Sequence, residues 1–243
     1  MDRAFRDGYL DLEFPVEPLG SAPRTLWRAT VLYLRNLPFL AVLTLLIVLP
    51  VKLAIDFAAE GVTGPAASML SGVTDLFVQA LLAPAAIFGI VVAMASGKHP
   101  SFGEALRWGR RQYWKMLWNS FKAEVTIALY TLLLILPGII KYVALLFVEP
   151  VVALEGDLTA NALRRSEELS AGRRWRIFGV LAPLAIVNLA LSALALYGLQ
   201  RASTQWYQTA VAETALSLID LWITVASLVM YLGIVKEKQW KSR

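Results

Sequence analysis

Long apolar stretches, separated by short polar segments, run through most of the chain. Six of them approach the roughly 20 apolar residues that a helix needs to cross a bilayer. None shows the period-two alternation of a membrane β-strand, and backbone groups in lipid must be bonded within their own segment. The pattern therefore predicts six membrane helices, at residues 37–55, 73–96, 121–136, 138–154, 177–199 and 213–235.

Positive charge is distributed unevenly between these stretches. All but Lys52, Lys141 and Arg201 of the 23 lysines and arginines lie in four segments, at residues 3–35, 98–122, 164–176 and 236–243. Such residues stay on the cytoplasmic side during membrane insertion. The distribution predicts an all-α polytopic membrane protein of three hairpins, with both termini in the cytoplasm.

Composition agrees with membrane residence. The chain is 58% hydrophobic with a mean hydropathy of +0.59, above the roughly 45–50% of soluble domains. Its net charge of +5 lies beside the apolar spans, so membrane lipids of the anionic cytoplasmic leaflet are the expected partner rather than nucleic acid. The chain has no cysteine, which excludes disulfides and thiolate metal sites.

Each hairpin follows a polar segment that is predicted to be an amphipathic cytoplasmic linker helix. Ser21 is a predicted N-cap of the first, Ser101 and Glu104 have capping-box spacing in the second, and Gly172 is the predicted end of the third. These segments are interpreted either as helices lying on lipid phosphates or as ordinary positive loops with interfacial tryptophans. The candidate headgroup contacts are Arg107, Arg110, Arg111, Lys115, Arg164, Arg165 and Arg174.

The domain organisation is predicted to be simple. Residues 1–20 contain too little apolar material for a core, so they form a cytoplasmic tail before a single membrane domain at 21–243. Short matches, such as Ala105-Leu106-Arg107 with Ala162-Leu163-Arg164, indicate three hairpin repeats. Chance similarity between Leu/Ala-rich helices explains the matches equally well. The repeats would cover residues 21–97, 98–156 and 157–236.

The central hairpin is short and turns at Pro137-Gly138. At about 1.5 Å per residue, each arm is close to 25 Å long, less than a hydrocarbon core of about 30 Å. Two interpretations remain open. The arms form two short crossing helices, which we favour, or a re-entrant hairpin.

Ionisable residues within the spans are the best candidates for function, because intramembrane charge costs at least about 2.5 kcal/mol. Glu149 precedes Pro150 in the middle of an apolar stretch, and Asp220 lies about two turns into the last span. Glu149 is interpreted either as a proton or cation site or as a structural carboxylate paired across the bundle. The structural reading is favoured because the sequence places no second intramembrane acid near it.

Charges near the span ends are expected to reach solvent. They are Asp75 and Glu213, together with Lys52 and Asp56, which are four residues apart and are expected to pair at the outer end of the first helix.

Motifs for catalysis are missing from the sequence. His99 is the only histidine, and neither a GxSxG nor an HExxH motif is present, which excludes a histidine-based triad or a multi-histidine metal centre within one chain. The expectation is a non-enzymatic protein without catalytic residues, cofactor or metal site.

One stretch is similar to a known family. It runs from Leu134-Ile135-Leu136-Pro137-Gly138-Ile139-Ile140 through Phe147-Val148-Glu149-Pro150-Val151-Val152-Ala153-Leu154-Glu155-Gly156 to Ala162-Leu163-Arg164-Arg165-Ser166. This stretch resembles a bacterial and archaeal integral-membrane family, found as the membrane domain fused to some glycerophosphodiester phosphodiesterases and as standalone inner-membrane proteins of unknown function. The positions that match its pattern are Pro137, Gly138, Pro150, Glu155, Ala162, Leu163 and Ser166.

The resemblance implies a six-helix domain in a bacterial or archaeal plasma membrane, without established biochemistry. The specific part covers about residues 130–178, and we expect no phosphodiesterase activity because no catalytic domain is present in this sequence.

Three functions remain open at this stage. The preferred one is a non-enzymatic protein in membrane organisation or lipid handling, acting through lipid, a protein partner or a homo-oligomer. The second is a transporter or permease subunit with its site near Glu149. The third, a lipid-modifying enzyme, is disfavoured because no nucleophile and base are paired. A cavity reaching Glu149 would favour transport, and a filled bundle would favour the first.

Overall fold

The computed structural model of the protein describes residues 20–58, 65–156, 161–201 and 206–241. The predicted N-terminal tail lies outside these residues. Almost all described residues are helical, and no strand occurs among them, as the sequence predicts. The helices are α1 Ala22–Ala58, α2 Pro65–Ser96, α3 Phe102–Leu133, α4 Ile135–Leu145, α5 Val148–Glu155, α6 Ala162–Ser170, α7 Arg174–Arg201 and α8 Trp206–Lys241.

Five segments among the described residues are long and apolar enough to cross a membrane. By length and apolar composition they correspond to the first, second, fourth, fifth and sixth predicted spans. The third predicted span forms the end of α3 and is not among the five; that stretch carries Lys122 and Glu124. Six spans therefore remain a prediction. The five are Ala22–Ala58, Met69–Ser96, Ile135–Glu155, Arg174–Ala195 and Tyr207–Lys238.

The helices pack as two long pairs joined by the broken central arm. α1 packs along α8 and α2 packs along α3, while α5 contacts α2, α3 and α8. Leu43, Leu82, Phe147 and Tyr231 are among the fully buried side chains of the core. The bundle surface instead carries many exposed Leu, Ile and Phe side chains. An apolar surface of this kind suits a lipid environment rather than water.

The linkers differ from the prediction of three separate helices. The first is the N-terminal part of α1, which continues through Pro38, and the second is the N-terminal part of α3. Only the third is a helix of its own, α6, where Asn161 Oδ1 accepts the Arg164 amide at 3.2 Å. Each of the first two linkers continues into the following apolar helix without a break. This continuity avoids additional helix ends, where backbone N–H and C=O groups lack intrahelical hydrogen-bond partners.

The predicted helix ends are confirmed where the structure describes them. The Ser101 hydroxyl accepts the Glu104 amide at 3.3 Å, and the Glu104 carboxylate accepts the Ser101 amide at 2.8 Å, which completes the capping box. α1 begins directly after Ser21, whose carbonyl accepts the Thr25 amide at 3.0 Å. Gly172 follows α6 with φ +75°, a conformation that favours glycine at a helix end.

A tight turn at Leu134 joins α3 to α4. A Cβ on Gly138 would lie 2.8 Å from the Thr131 Cα, so only glycine permits this close approach of the two helices. Pro137 lies in the first turn of α4, where its missing amide hydrogen leaves one fewer donor to satisfy. The turn itself is apolar and exposed, from Leu132 to Leu136. An apolar surface of this kind suits contact with lipid whether the hairpin crosses the membrane or is re-entrant, so it fits both interpretations.

Candidate functional site: an acidic cavity beside the broken helix

The apolar arm of the central hairpin is broken at Leu146 and Phe147, between α4 and α5. Pro150 has no amide hydrogen, so it cannot donate to the Leu146 carbonyl as a continuous helix would require. The break puts Pro150 in the first turn of α5, where amide hydrogens have no intrahelical acceptor.

Ser166 on α6 bonds the backbone groups that the break releases. Its hydroxyl accepts the Phe147 amide at 3.0 Å and donates to the Ala144 carbonyl at 2.8 Å, and the side chain is fully buried. Ser170 makes a longer contact with the same carbonyl, at 3.4 Å. Ser166 of α6 therefore bonds the backbone on both sides of the break. Ser166 is also one of the positions that match the family pattern given above.

Glu149 lies in this first turn of α5 and faces α8. Its Oε2 accepts a hydrogen bond from the Thr224 hydroxyl at 3.1 Å. No ion pair to Glu149 occurs among the described residues. Its partner across the bundle is thus a neutral hydroxyl of α8 rather than a cation of the described residues.

A cavity of about 740 Å³ opens beside Glu149, between α2, α3, α4, α5 and α8. Most of its lining is apolar, but four acidic residues from four helices reach it. No lysine, arginine or histidine is among the described residues that line it. The sequence places no second intramembrane acid near Glu149, but helix packing gathers acidic residues that are far apart in the chain: Asp75, Glu124, Glu149 and Asp220.

Asp220, the second sequence candidate, is held within a small polar chain. The Asn188 amide of α7 donates to the Asp220 carboxylate, and Ser192 donates to the Asn188 Oδ1 at 3.2 Å. Asp220 thus faces the cavity while α7 fixes its orientation. Pro137 and Gly138 do not line the cavity; they lie at the α3–α4 turn.

A buried lysine network lies at the end of the bundle that is predicted to face outward. The Lys52 ammonium, on α1, is 2.6 Å from Asp75 Oδ1 and 2.6 Å from Glu213 Oε2, and it donates to Ser71 Oγ at 3.4 Å. Lys52 is only 2% exposed. The prediction that Lys52 reaches solvent is therefore wrong. Carboxylates from α2 and α8 compensate its positive charge in apolar surroundings.

Two features of this network were not predictable from helical spacing. Lys52 and Asp56 form no ion pair within 4 Å in the described residues, and one Asp56 oxygen is buried without a hydrogen-bond partner. Asp75 both pairs with Lys52 and lines the cavity. The network and the cavity are therefore continuous.

The opposite end of α5 carries a second charge cluster. Arg165 on α6 donates to both Glu155 oxygens at 3.1–3.3 Å, and the Tyr231 hydroxyl donates to Glu155 at 2.7 Å. Nearby, Lys141 pairs with Glu167 at 2.7 Å. These bonds tie α6 to the two halves of the broken helix and to α8, so Glu155 has a structural role.

The candidate headgroup contacts lie mostly on the surface. Ala105, Gly109, Gln112 and Met116 bury one face of α3, and the basic side chains occupy the other. Arg164 is exposed and pairs with Glu168 at 3.1 Å, whereas Arg165 is engaged by Glu155. Those that remain exposed are Arg107, Arg110, Arg111, Lys115, Arg164 and Arg174.

Residues 116–236 match the model of a domain of unknown function (DUF7847). The matched segment contains Glu149, Asp220, Glu155 and Ser166, and it excludes Lys52 and Asp75. No curated protein and no solved structure matches the chain. The resemblance to the phosphodiesterase-linked membrane domain remains a prediction.

Proposed function

We propose that this protein binds a cationic ligand in the cavity beside Glu149 and carries it across the plasma membrane, as a transporter or permease subunit. The observation that carries the proposal is the cavity itself: about 740 Å³, reaching Glu149, with three further carboxylates and no basic side chain in its described lining. Ligand pockets in proteins fall in the range of about 300–1,000 Å³.

The charge of the cavity supports a cationic ligand. Carboxylates are costly in apolar surroundings unless a positive charge compensates them. Lys52 supplies such a charge to Asp75 from outside the cavity. Glu149 and Asp220 have only neutral donors among the described residues, Thr224 and Asn188. A ligand cation would complete the site.

The apolar lining supports a ligand with an apolar body. The carboxylates lie on different helices, and no three of the described acidic and histidine side chains converge on a point that could hold a metal ion. Tyr142, which is half-exposed in the cavity wall, offers an aromatic ring to a cation. An amphipathic organic cation combines these features better than a small metal ion does.

The broken helix supports transport rather than static binding. Transporters commonly form their sites at discontinuous helices near the middle of the membrane. Here the break between α4 and α5 lies directly before Glu149, and the buried Ser166 of α6 bonds the backbone groups on both sides of it. Such a joint can change angle without unfolding a long helix.

A second candidate function, membrane organisation or lipid handling, has its own support. Arg107, Arg110, Arg111 and Lys115 share the exposed face of α3. Each basic residue near an anionic leaflet contributes about 1 kcal/mol. This function does not need the acidic cavity, so a variant of Glu149 separates it from transport.

The test is uptake of ethidium, a permanently charged aromatic cation, into liposomes that contain the full chain and trapped DNA. We expect the protein to accelerate uptake and Glu149→Gln to reduce it to the rate of protein-free liposomes. Glu168→Gln, which removes one exposed carboxylate of α6, is the matched control and should transport normally. Equal uptake with and without protein, or full uptake by Glu149→Gln, would contradict the proposal.

A further inference from the structure

A second cavity, of about 480 Å³, lies at the other end of the bundle. It is formed by the N-terminal part of α1, the end of α2, the loop before α3, and α8. This is the level at which α1 changes from a basic amphipathic helix to an apolar one, near residue 37. By the charge distribution, that level is the cytoplasmic membrane interface.

The polar wall of this cavity is basic. Arg28 and Arg35 are seven residues apart, about two helical turns, so both lie on the same side of α1. His99 completes the wall, with its ring stacked on Phe39 at a centroid distance of 4.7 Å. Partial desolvation and the neighbouring Arg35 lower the pKa of His99, so Arg28 and Arg35 supply the positive charge of the wall. No Asp or Glu is among the described residues that line the cavity.

The remaining wall is apolar and opens beside an exposed tryptophan. Val31, Leu32, Met94 and Val229 form it, and Trp27 is 70% exposed at the rim. Tryptophan prefers the headgroup level of a bilayer. Basic groups at one side and apolar groups at the other match a molecule with an anionic head and a hydrocarbon tail.

We propose that this cavity binds one anionic phospholipid, with its phosphate group between Arg28 and Arg35 and its acyl chain along Val31 and Val229. Guanidinium groups bind phosphate oxygens through paired, charge-assisted hydrogen bonds. The apolar wall distinguishes this site from the basic face of α3, where the arginines project from a helix surface. The proposal is independent of the cation cavity, because the two cavities share no lining residue.

The test is native mass spectrometry of the full chain, titrated with phosphatidylglycerol in detergent. We expect one tightly bound lipid, and an affinity about 30-fold weaker in Arg28→Gln/Arg35→Gln, since both arginines lie beside the headgroup. Lys122→Gln/Lys238→Gln removes the same charge from two exposed positions outside the cavity and outside the candidate headgroup contacts, and should keep the bound lipid. Equal losses in the two double variants would overturn the proposal.

A cavity-filling variant and a soluble ligand complete the test. Val31→Trp keeps every charge but occupies the apolar wall, so it should also lose the lipid. Retention of the lipid by that variant would contradict the proposal. Glycerol 3-phosphate offers a phosphate group, as a monoester rather than a diester, without acyl chains and should displace the lipid only weakly. Displacement at concentrations similar to those of the lipid would mean that the site takes soluble phosphates instead.

Discussion

Ser166→Ala tests how the break before Glu149 is held. In the native structure the hydroxyl bonds the Phe147 amide at 3.0 Å and the Ala144 carbonyl at 2.8 Å, in a fully buried position. Alanine leaves the amide without a partner, while the carbonyl keeps its 3.4 Å contact with Ser170. A buried unsatisfied group costs about 1–3 kcal/mol, so we expect a loss of about 2 kcal/mol.

The assay is thermal unfolding in detergent, with Ser227→Ala as the matched control. Ser227 is equally buried, but its hydroxyl donates at 2.8 Å to the Thr224 carbonyl of its own helix. Removing it leaves no backbone donor unpaired, so a loss below about 1 kcal/mol is expected. A loss of 2 kcal/mol in a chain of this size corresponds to roughly 4–8 °C. Equal shifts in the two variants would refute the role assigned to Ser166.

Two further predictions concern the outer network and the topology. Lys52→Met should destabilise the protein by about 2 kcal/mol in thermal unfolding; this is less than the 3–5 kcal/mol of a fully buried pair, because the Asp75 side chain is 51% exposed. The exposed Lys98→Met should change stability little, and equal effects would mean that the network adds nothing. A cysteine introduced at Gly61 should react with an impermeant thiol reagent from outside intact cells, whereas one at the exposed Arg174 should not. Outside labelling at position 174 would contradict the predicted orientation.

The membrane class and much of the helical layout follow directly from the sequence. Apolar length locates five spans, and the capping box at Ser101 follows from local chemistry, since caps act within a few residues. The predicted span at 138–154 is instead broken before Pro150. The structure adds that the linkers before the first and second hairpins continue into the apolar helices. Hydropathy changes where a helix passes from a polar into an apolar segment, but the backbone geometry need not change there. Hydropathy therefore does not predict whether a linker and the following span form one helix or two.

The site depended on contacts that no local pattern contains. Lys52 finds its carboxylates on α2 and α8, and the acids around Glu149 come from α2, α3 and α8. Lys52 and Asp75, taken alone, resemble solvated charges at helix ends, whereas Asp220 lies within an apolar span. One signal was available: a lysine inside an apolar helix requires a compensating charge nearby. The identity of that partner depends on packing between helices, which the sequence of one helix does not encode.

The most direct test of the central claim is chemical modification of Glu149. Dicyclohexylcarbodiimide is an apolar reagent that modifies carboxylic acids in apolar surroundings, and peptide mass spectrometry locates the adduct. We expect modification of Glu149 in the intact protein, slowed by ethidium in the same preparation, because both molecules would occupy the cavity that the carboxylate lines. Modification at an unchanged rate with ethidium present, or none at Glu149, would contradict a cation site in this cavity.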